Sequence, residues 1–179
     1  MSISKPIISN SGKLLYTSNN VILKSTPPIS HLYWCIWIKD IQNTTNDNIF
    51  QMSEFEFLDG SNNTIRPDTL HIISSSTGET GQSAEKLFDN SVDTKFCVRK
   101  SSNIYCIFDF DKSISPVSYR MCTANDNSTW KGRNPKTWNI MFSDVLLTTY
   151  SDSNWNIWSE HINDFTMKDV NYTWYNFNV

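Results

Sequence analysis

The sequence predicts an all-β domain, and three observations support that prediction. Aromatic residues make up 13% of the chain and charged residues only 18%, and aromatic side chains suit the half-buried surface of a pleated sheet. Short apolar runs, some alternating with polar residues, are separated by turns rich in Asn, Ser and Gly. Neither a long amphipathic helix pattern nor an internal repeat is visible. A chain of 179 residues can bury a core without disulfide bonds, so we expect one main domain.

We place that domain at residues 29–179 and an N-terminal arm or small hairpin at residues 1–28. The N-terminal part is rich in Ser, Asn and Pro and ends at two consecutive prolines. Its two apolar runs, residues 13–17 and 21–23, flank a Ser-Asn-Asn turn and would pair as a hairpin. A loosely held arm is the alternative interpretation.

Two apolar runs open the main domain. Residues 32–38 are rich in aromatic and β-branched side chains and are too short for a membrane helix, so they predict a buried strand. In residues 49–58, Phe55 and Phe57 alternate with glutamates. Because side chains alternate between the two faces of a strand, this run predicts one dry and one wet face.

Residues 118–138 are the stretch around which we organise the chain. Tyr119 and Met121 alternate with polar residues and predict a half-buried strand, and a second strand restarts at residues 137–142. The loop between them holds an aromatic residue, two basic residues and several amides. Binding groups are often mounted on loops that a rigid sheet supports, so we expect this loop to carry the function.

Two blocks of residues resemble a known family. The first is Tyr119-Arg120, then Thr123-Ala124-Asn125-Asp126-Asn127, then Gly132 to Trp138; the second is the A-x-x-L-F-D…T-K-F run at residues 84–96. Together they resemble the discoidin or coagulation factor 5/8 type C domain, and residues 104–110 are similar to another strand of that family. The resemblance implies a jelly-roll β-sandwich of the galactose-binding-like kind, related to carbohydrate-binding modules.

The resemblance also implies a circular permutation. Residues 33–58 are similar to the strand pair that normally closes such a domain, and residues 172–179 are similar to the strand that normally precedes that pair. Chain ends in compact domains often lie close together, so a permuted order keeps the packing. The alternative is that residues 29–60 are unrelated to the domain. A second departure from the family is the enlarged segment at residues 145–153.

The resemblance implies a structural calcium site. Asp89 and Thr94 are spaced as in the calcium loop of the family, Asp93 adds an oxygen, and Glu54 would supply further charge. Calcium takes six to eight oxygen ligands in irregular geometry. Asn90 stands where the family has glycine, and Asn tolerates a left-handed turn. The alternative is a metal-free turn in which the aspartate binds backbone amides.

A ligand-binding patch is expected on the central loop. Aromatic faces, amides, carboxylates and guanidinium groups are the side chains that bind sugars, and this loop holds them at Asn125, Asp126, Trp130, Lys131 and Arg133. The alternative is that Asp126 and Arg133 only pin the loop. We therefore expect a non-catalytic, lectin-like binding module for a glycan or glycoprotein. The competing hypothesis is a structural or protein–protein interaction module, with a protein partner or a homo-oligomer.

Other functions are less compatible with the sequence. The net charge of −3 gives no nucleic-acid-binding signature, and no apolar window is long enough to span a membrane. None of the three histidines shares a motif with a nucleophilic Ser or Cys, so we expect no enzyme.

Compartment and cysteine state are also expectations. The first residues lack the apolar core of a secretory signal, so we expect a cytoplasmic protein or a component of an assembled particle. The four cysteines lie in apolar runs without metal-ligand spacing. Buried free thiols are the expectation, with a disulfide bond as the alternative.

Overall fold

The computed structural model describes residues 30–42, 48–66, 71–99 and 103–179, together with the backbone of four short strands near the N-terminus. Those strands pair antiparallel, β1 (Ile7–Ile8) with β2 (Leu14–Leu15) and β3 (Thr17–Ser18) with β4 (Val21–Ile22). Most of the expected arm or hairpin, residues 1–28, lies outside the described residues, and its separation from the main domain stays a prediction.

The rest of the described chain is built from strands and one 3₁₀ turn, Ala84–Leu87. No helix in this described part is both long and apolar enough to cross a membrane. In chain order the strands are β5 (His31–Ile41), β6 (Ile49–Met52), β7 (Glu54–Leu58), β8 (Thr64–Ile65), β9 (His71–Ser74), β10 (Phe96–Arg99), β11 (Ile104–Ile114), β12 (Ser118–Cys122), β13 (Pro135–Ser143), β14 (Asn156–Ile162) and β15 (Trp174–Asn178).

Two antiparallel sheets pack face to face as a sandwich. One sheet has the strand order β14-β13-β5-β11-β9, the other has the order β15-β12-β7-β8, and a short pair, β6 with β10, lies beside them. Alternate residues of both sheets meet in one buried aromatic cluster that includes Trp34, Phe55, Phe108, Trp138 and Phe177. The prediction of an all-β, jelly-roll-like sandwich is confirmed.

The predicted wet face of β7 is wrong. Glu54 is only 1% exposed and Glu56 only 4% exposed, although both point away from the aromatic core. The outer face of the sheet is covered, because the Ser91 backbone N–H reaches Glu54 at 2.7 Å and two arginines reach Glu56. An alternating pattern distinguishes two faces but does not determine whether the polar face stays in water.

The two segments on which the predicted permutation depends, residues 33–58 and 172–179, both contribute strands to the sandwich. Strand β7 and the final strand β15 both pair with β12, one on each side. Strand β5 lies in the opposite sheet, between β13 and β11. A permuted discoidin-like domain requires this neighbourhood, and the permutation itself stays a prediction.

The 145–153 segment after β13 covers part of the outer face of the five-stranded sheet. Tyr150 packs its ring 4.6 Å from that of Trp37 and 5.3 Å from that of Tyr105. Together with Trp155 it covers a second, smaller apolar cluster formed by Cys35, Ile107 and Met141. The segment is therefore a packed flap, and it explains why the centre of β5 is buried on both faces.

All four cysteines are buried free thiols in the structure. Burial raises the pKa of Cys97 to about 11 and the pKa of Cys122 to about 12. A thiol with a raised pKa is a poor nucleophile at neutral pH, so these cysteines serve as packing residues.

A substitution of Phe55 tests the aromatic core between the two sheets. Its ring contacts Phe57, Phe88, Phe108 and Tyr119 with ring centres 4.9 to 6.0 Å away. We expect Phe55→Ala to lower the free energy of unfolding by about 3–5 kcal/mol, because a large cavity replaces the ring. Urea unfolding measures the loss. The exposed Val117→Ala is the control and should change stability by less than about 0.5 kcal/mol; equal effects would contradict the described core.

Candidate functional site

The central loop, residues 123–134, connects β12 in one sheet with β13 in the other. Backbone bonds make it compact, since the N–H groups of Thr129 and Trp130 both donate to the carbonyl oxygen of Asp126 at 3.0 Å. Gly132 follows with a φ of 80°, in the left-handed region that glycine enters without steric cost. The side chains of this loop therefore have well-defined positions.

Two of the predicted ligand residues join the central loop to the 88–95 loop. The Asn125 side-chain amide donates to the carbonyl oxygen of Asp93 at 2.6 Å. The Lys95 ammonium donates to both carboxylate oxygens of Asp126 at 2.6 Å. Because Lys95 is buried, it needs a charged partner. Asn125 and Asp126 therefore fix one loop to the other.

A buried glutamine lies at the centre of this polar network. Gln51 is fully buried, and its Oε1 atom accepts hydrogen bonds from Lys95 (3.1 Å) and Arg133 (3.3 Å). Its amide nitrogen donates to Asn127 at 3.4 Å. The alternative interpretation had Asp126 and Arg133 pinning the loop. Both do so, but Asp126 pairs with Lys95 and Arg133 donates to Gln51.

Trp130 is the aromatic residue of the predicted ligand patch. Its side chain is 49% exposed, and the buried Arg133 guanidinium lies 4.5 Å from the centre of its ring. Burial lowers the pKa of Arg133, and the contact with the ring compensates part of the lost hydration. Lys131 is exposed next to Trp130. The loop thus presents one aromatic surface and one cation to solvent.

The 163–173 segment supports the central loop from the other side. Hydrogen bonds join the two, among them Thr123 Oγ1 to Val170 O (2.6 Å), Ser128 N to Asn171 Oδ1 (2.7 Å) and Gly132 N to Asp169 Oδ1 (2.8 Å). At the end of this segment Tyr172 is 47% exposed. The site is therefore a rim made of three loops, 88–95, 123–134 and 163–173, which we call the loop rim.

Sequence reasoning missed several residues of the loop rim. Gln51, Lys95 and Asn127 form its buried network, and Tyr172 is its second exposed aromatic. One signal pointed to Gln51, since it interrupts an otherwise apolar strand and a buried amide must find hydrogen-bond partners. No local pattern identifies Tyr172, because its place on the rim depends on contacts with segments that are distant in the chain, around Asp93 and Asp126 to Ser128.

The predicted calcium loop is tightly turned. Asn90 has a φ of 61°, which confirms the expected left-handed conformation at the position where the family has glycine. The Thr94 hydroxyl donates to Asp89 Oδ2 at 2.7 Å, and the Lys86 ammonium donates to the same oxygen at 3.1 Å. Burial raises the pKa of Asp89, but these two hydrogen bonds outweigh it, so the pKa lies below its ordinary value.

Glu54 brings a second carboxyl group to this loop. Its Oε1 accepts from the Ser91 N–H at 2.7 Å, whereas the buried Oε2 has no hydrogen-bond partner among the described residues. Burial, with a smaller contribution from the adjacent Asp89, raises the pKa of Glu54 to about 8. At neutral pH this carboxyl group is therefore mostly protonated.

The arrangement fits a calcium ion only in part. Glu54 and Asp89 lie together with the Thr94 hydroxyl, but the exposed Asp93 turns its carboxylate toward Tyr172. No three Asp, Glu, His or Cys side chains of the described residues form a metal-ligand group. An ion here would need backbone carbonyl or water oxygens as well, which calcium accepts. The unmatched buried oxygen of Glu54 is the feature that fits a cation.

Among known proteins, no family model, no curated protein and no solved structure matches this chain. The discoidin-like resemblance of residues 84–96 and 118–138 therefore stays a prediction.

The raised pKa of Glu54 predicts a pH-dependent stability. Between its unfolded pKa near 4.5 and its folded pKa of about 8 the folded state holds one more proton than the unfolded state. In the metal-free protein we expect the free energy of unfolding to fall by up to about 1.4 kcal/mol per pH unit through this window. Urea unfolding from pH 5.5 to 8.5 measures this slope.

The matched variants isolate the contribution of Glu54. Glu54→Gln cannot ionise, so it should flatten the slope by that amount. Glu79→Gln, at an exposed position, should leave the slope unchanged. A wild-type slope that survives Glu54→Gln would contradict the assignment.

Proposed function

We propose that this protein is a non-catalytic module that binds carbohydrate on its loop rim. The observation that carries the proposal is Trp130, which is half exposed on a loop whose backbone is otherwise closely bonded. One part of the Trp130 side chain contacts Arg133, but about half of it stays in solvent, and exposed apolar surface of this kind commonly marks a binding site. The flat ring suits the C–H face of a sugar.

The residues of the rim have different roles in this proposal. Trp130 and Lys131 contact the ligand, because both are exposed. Arg133 lies against the Trp130 ring and holds its orientation. Asn125 and Asp126 position the loop through Asp93 and Lys95, and the partly exposed Asp126 also offers a carboxylate oxygen to a hydroxyl group.

A structural calcium ion is part of the proposal. Glu54, Asp89 and Thr94 would hold it, with oxygens from the backbone of the 88–95 loop. The ion would supply positive charge to two adjacent carboxyl groups and so stiffen the loop. Because Asn125 and Lys95 link this loop to the central loop, that stiffening would extend to Trp130.

A single site of this size binds weakly, so we expect function to depend on several copies acting together. The second candidate is a structural or interaction module that docks a protein partner or assembles with itself. Exposed apolar side chains favour it: Val145 and Leu146 at the flap, and Ile157 and Ile162 on the edge strand β14. Edge strands with exposed apolar residues are prone to pair with another chain.

The histidines provide no support for catalysis. His31 Nδ1 pairs with Asp144 at 2.5 Å, and its ring stacks on Phe142 at 3.9 Å. His161 Nδ1 pairs with Asp164 at 3.1 Å, and its ring stacks on Trp138 at 4.4 Å. These are the contacts of packing residues at the edge of the sandwich, so the proposal gives them no chemical role.

Binding to an array of immobilised glycans tests the proposed function. We expect the wild-type protein to bind a subset of the glycans, in competition with the free sugar. Trp130→Ala should weaken that binding about tenfold or more, which corresponds to about 1.4 kcal/mol. Leu146→Ala, at an exposed residue outside the rim, is the control and should bind like the wild type. Silence on all glycans together with a discrete oligomer in solution would favour the structural module instead.

Calcium should stabilise the folded protein. A ligand that binds only the folded state adds about 2.7 kcal/mol when its concentration is 100 times its Kd. We expect the thermal midpoint to rise with calcium and to fall with chelator. Glu54→Gln should abolish the rise. Since Glu54 must lose its proton to bind the ion, the stabilisation should also grow from pH 6 to pH 8. A thermal midpoint that is unchanged by calcium and by chelator would argue against a bound calcium ion.

A further inference from the structure

Tyr172 has a backbone conformation that is unusual for its type. Five residues other than glycine have positive φ among those the structure describes; four of them, Asn62, Asn90, Asp111 and Asn163, are types that tolerate it. Tyr172 has a φ of 55°, and a bulky side chain in this region is an outlier. Such strain persists only where neighbouring contacts impose it, and it is frequent at binding sites.

The neighbours of Tyr172 impose its position. On one side the Asn171 side chain accepts from Ser128 N at 2.7 Å. On the other side the Thr173 N–H donates to the Thr123 hydroxyl at 2.9 Å, and the Thr123 N–H donates to Thr173 O at 3.0 Å. Both flanking residues are thus tied to the central loop, and the side chain between them is displayed on the loop rim.

The surroundings of the Tyr172 ring are polar and acidic. Partial desolvation, an interaction with the Asp93 carboxylate and the charge of Asp126 all raise the pKa of its hydroxyl group. Asp126 is also the residue whose carbonyl oxygen binds Trp130 N. The Ser128–Asn171 hydrogen bond joins the two segments that carry Trp130 and Tyr172. Both exposed aromatic residues therefore belong to the loop rim, and the carboxylates of Asp93 and Asp126 lie close to Tyr172.

We infer that Tyr172 forms a second sugar-binding surface, so that the loop rim takes an oligosaccharide, with one ring on Trp130 and a neutral neighbouring ring on Tyr172. This inference rests on the proposed function and deepens it. The neighbouring carboxylates accept hydrogen bonds from sugar hydroxyl groups and would repel an acidic sugar. Binding at this tyrosine needs no further ordering of the backbone, because the backbone is already held in place.

The test compares immobilised monosaccharides with the di- and trisaccharides that contain them. We expect the wild type to bind the longer glycans about tenfold or more tightly than the matching single sugars. Tyr172→Ala should remove this difference and keep the monosaccharide affinity. Trp130→Ala should weaken binding to both. Tyr172→Phe keeps the ring and should retain most of the preference.

Each outcome decides one claim. If the wild type binds glycans and Tyr172→Ala keeps the preference for longer ones, the second surface is refuted and the proposed function stands. If the wild type binds no glycan on the array, both the proposed function and the inference are refuted. Equal binding of short and long glycans by the wild type refutes the inference alone.

Thermal stability is an independent measurement that distinguishes a binding role of Tyr172 from a role in folding. Tyr172→Gly relieves the positive φ, so we expect a higher thermal midpoint together with loss of the preference for longer glycans. Asn163→Gly, at a φ of 52°, is the control and should change the midpoint little, because Asn already tolerates that conformation. A lower midpoint for Tyr172→Gly would mean that the tyrosine serves folding, which would overturn the inference.

Discussion

One hydrogen bond in the core fixes the loop on which the proposed function depends. The Trp138 indole N–H donates to the Tyr119 hydroxyl at 3.0 Å, and both side chains are fully buried. Tyr119 lies on β12 and Trp138 on β13, so the bond crosses from one sheet to the other at the two ends of the central loop. Burial raises the pKa of Tyr119 to about 12, so its hydroxyl group stays neutral at ordinary pH. A buried polar pair of this kind must stay intact to avoid a desolvation penalty.

A buried polar network connects the core to the loop rim and fixes the positions of the rim residues. Lys95 is buried and charged, and such a group is stable only with a close partner. Asp126 supplies the charge and Gln51 supplies a further acceptor. Gln51 also accepts a hydrogen bond from Arg133, and the Arg133 guanidinium lies against the Trp130 ring. A continuous series of contacts therefore connects the exposed Trp130 to the core. Any change that stiffens or loosens the 88–95 loop should therefore alter how firmly the Trp130 side chain is held.

The outer faces of the strands β5 and β7 are covered by loops, and this coverage explains where sequence patterns failed. The alternation in β7 correctly separates Phe55 and Phe57 from the two glutamates, but the glutamates are buried beneath the 88–95 loop and two arginines. The enlarged segment after β13 similarly covers Trp37 and Met141. Coverage of this kind comes from loops distant in the chain, so no short window of sequence contains it.

The sequence by itself determined the all-β class, the positions of the main strands and the place of Trp130 on the loop between β12 and β13. Each of these follows from spacing and residue type within a few positions. Only the tertiary structure decided that Lys95 is the partner of Asp126, that Glu54 is buried beside Asp89, and that Tyr172 joins the rim. The reason is physical: hydrogen bonds between loops depend on strand register and on which loops meet at one end of the sandwich, and neither is encoded in a local pattern.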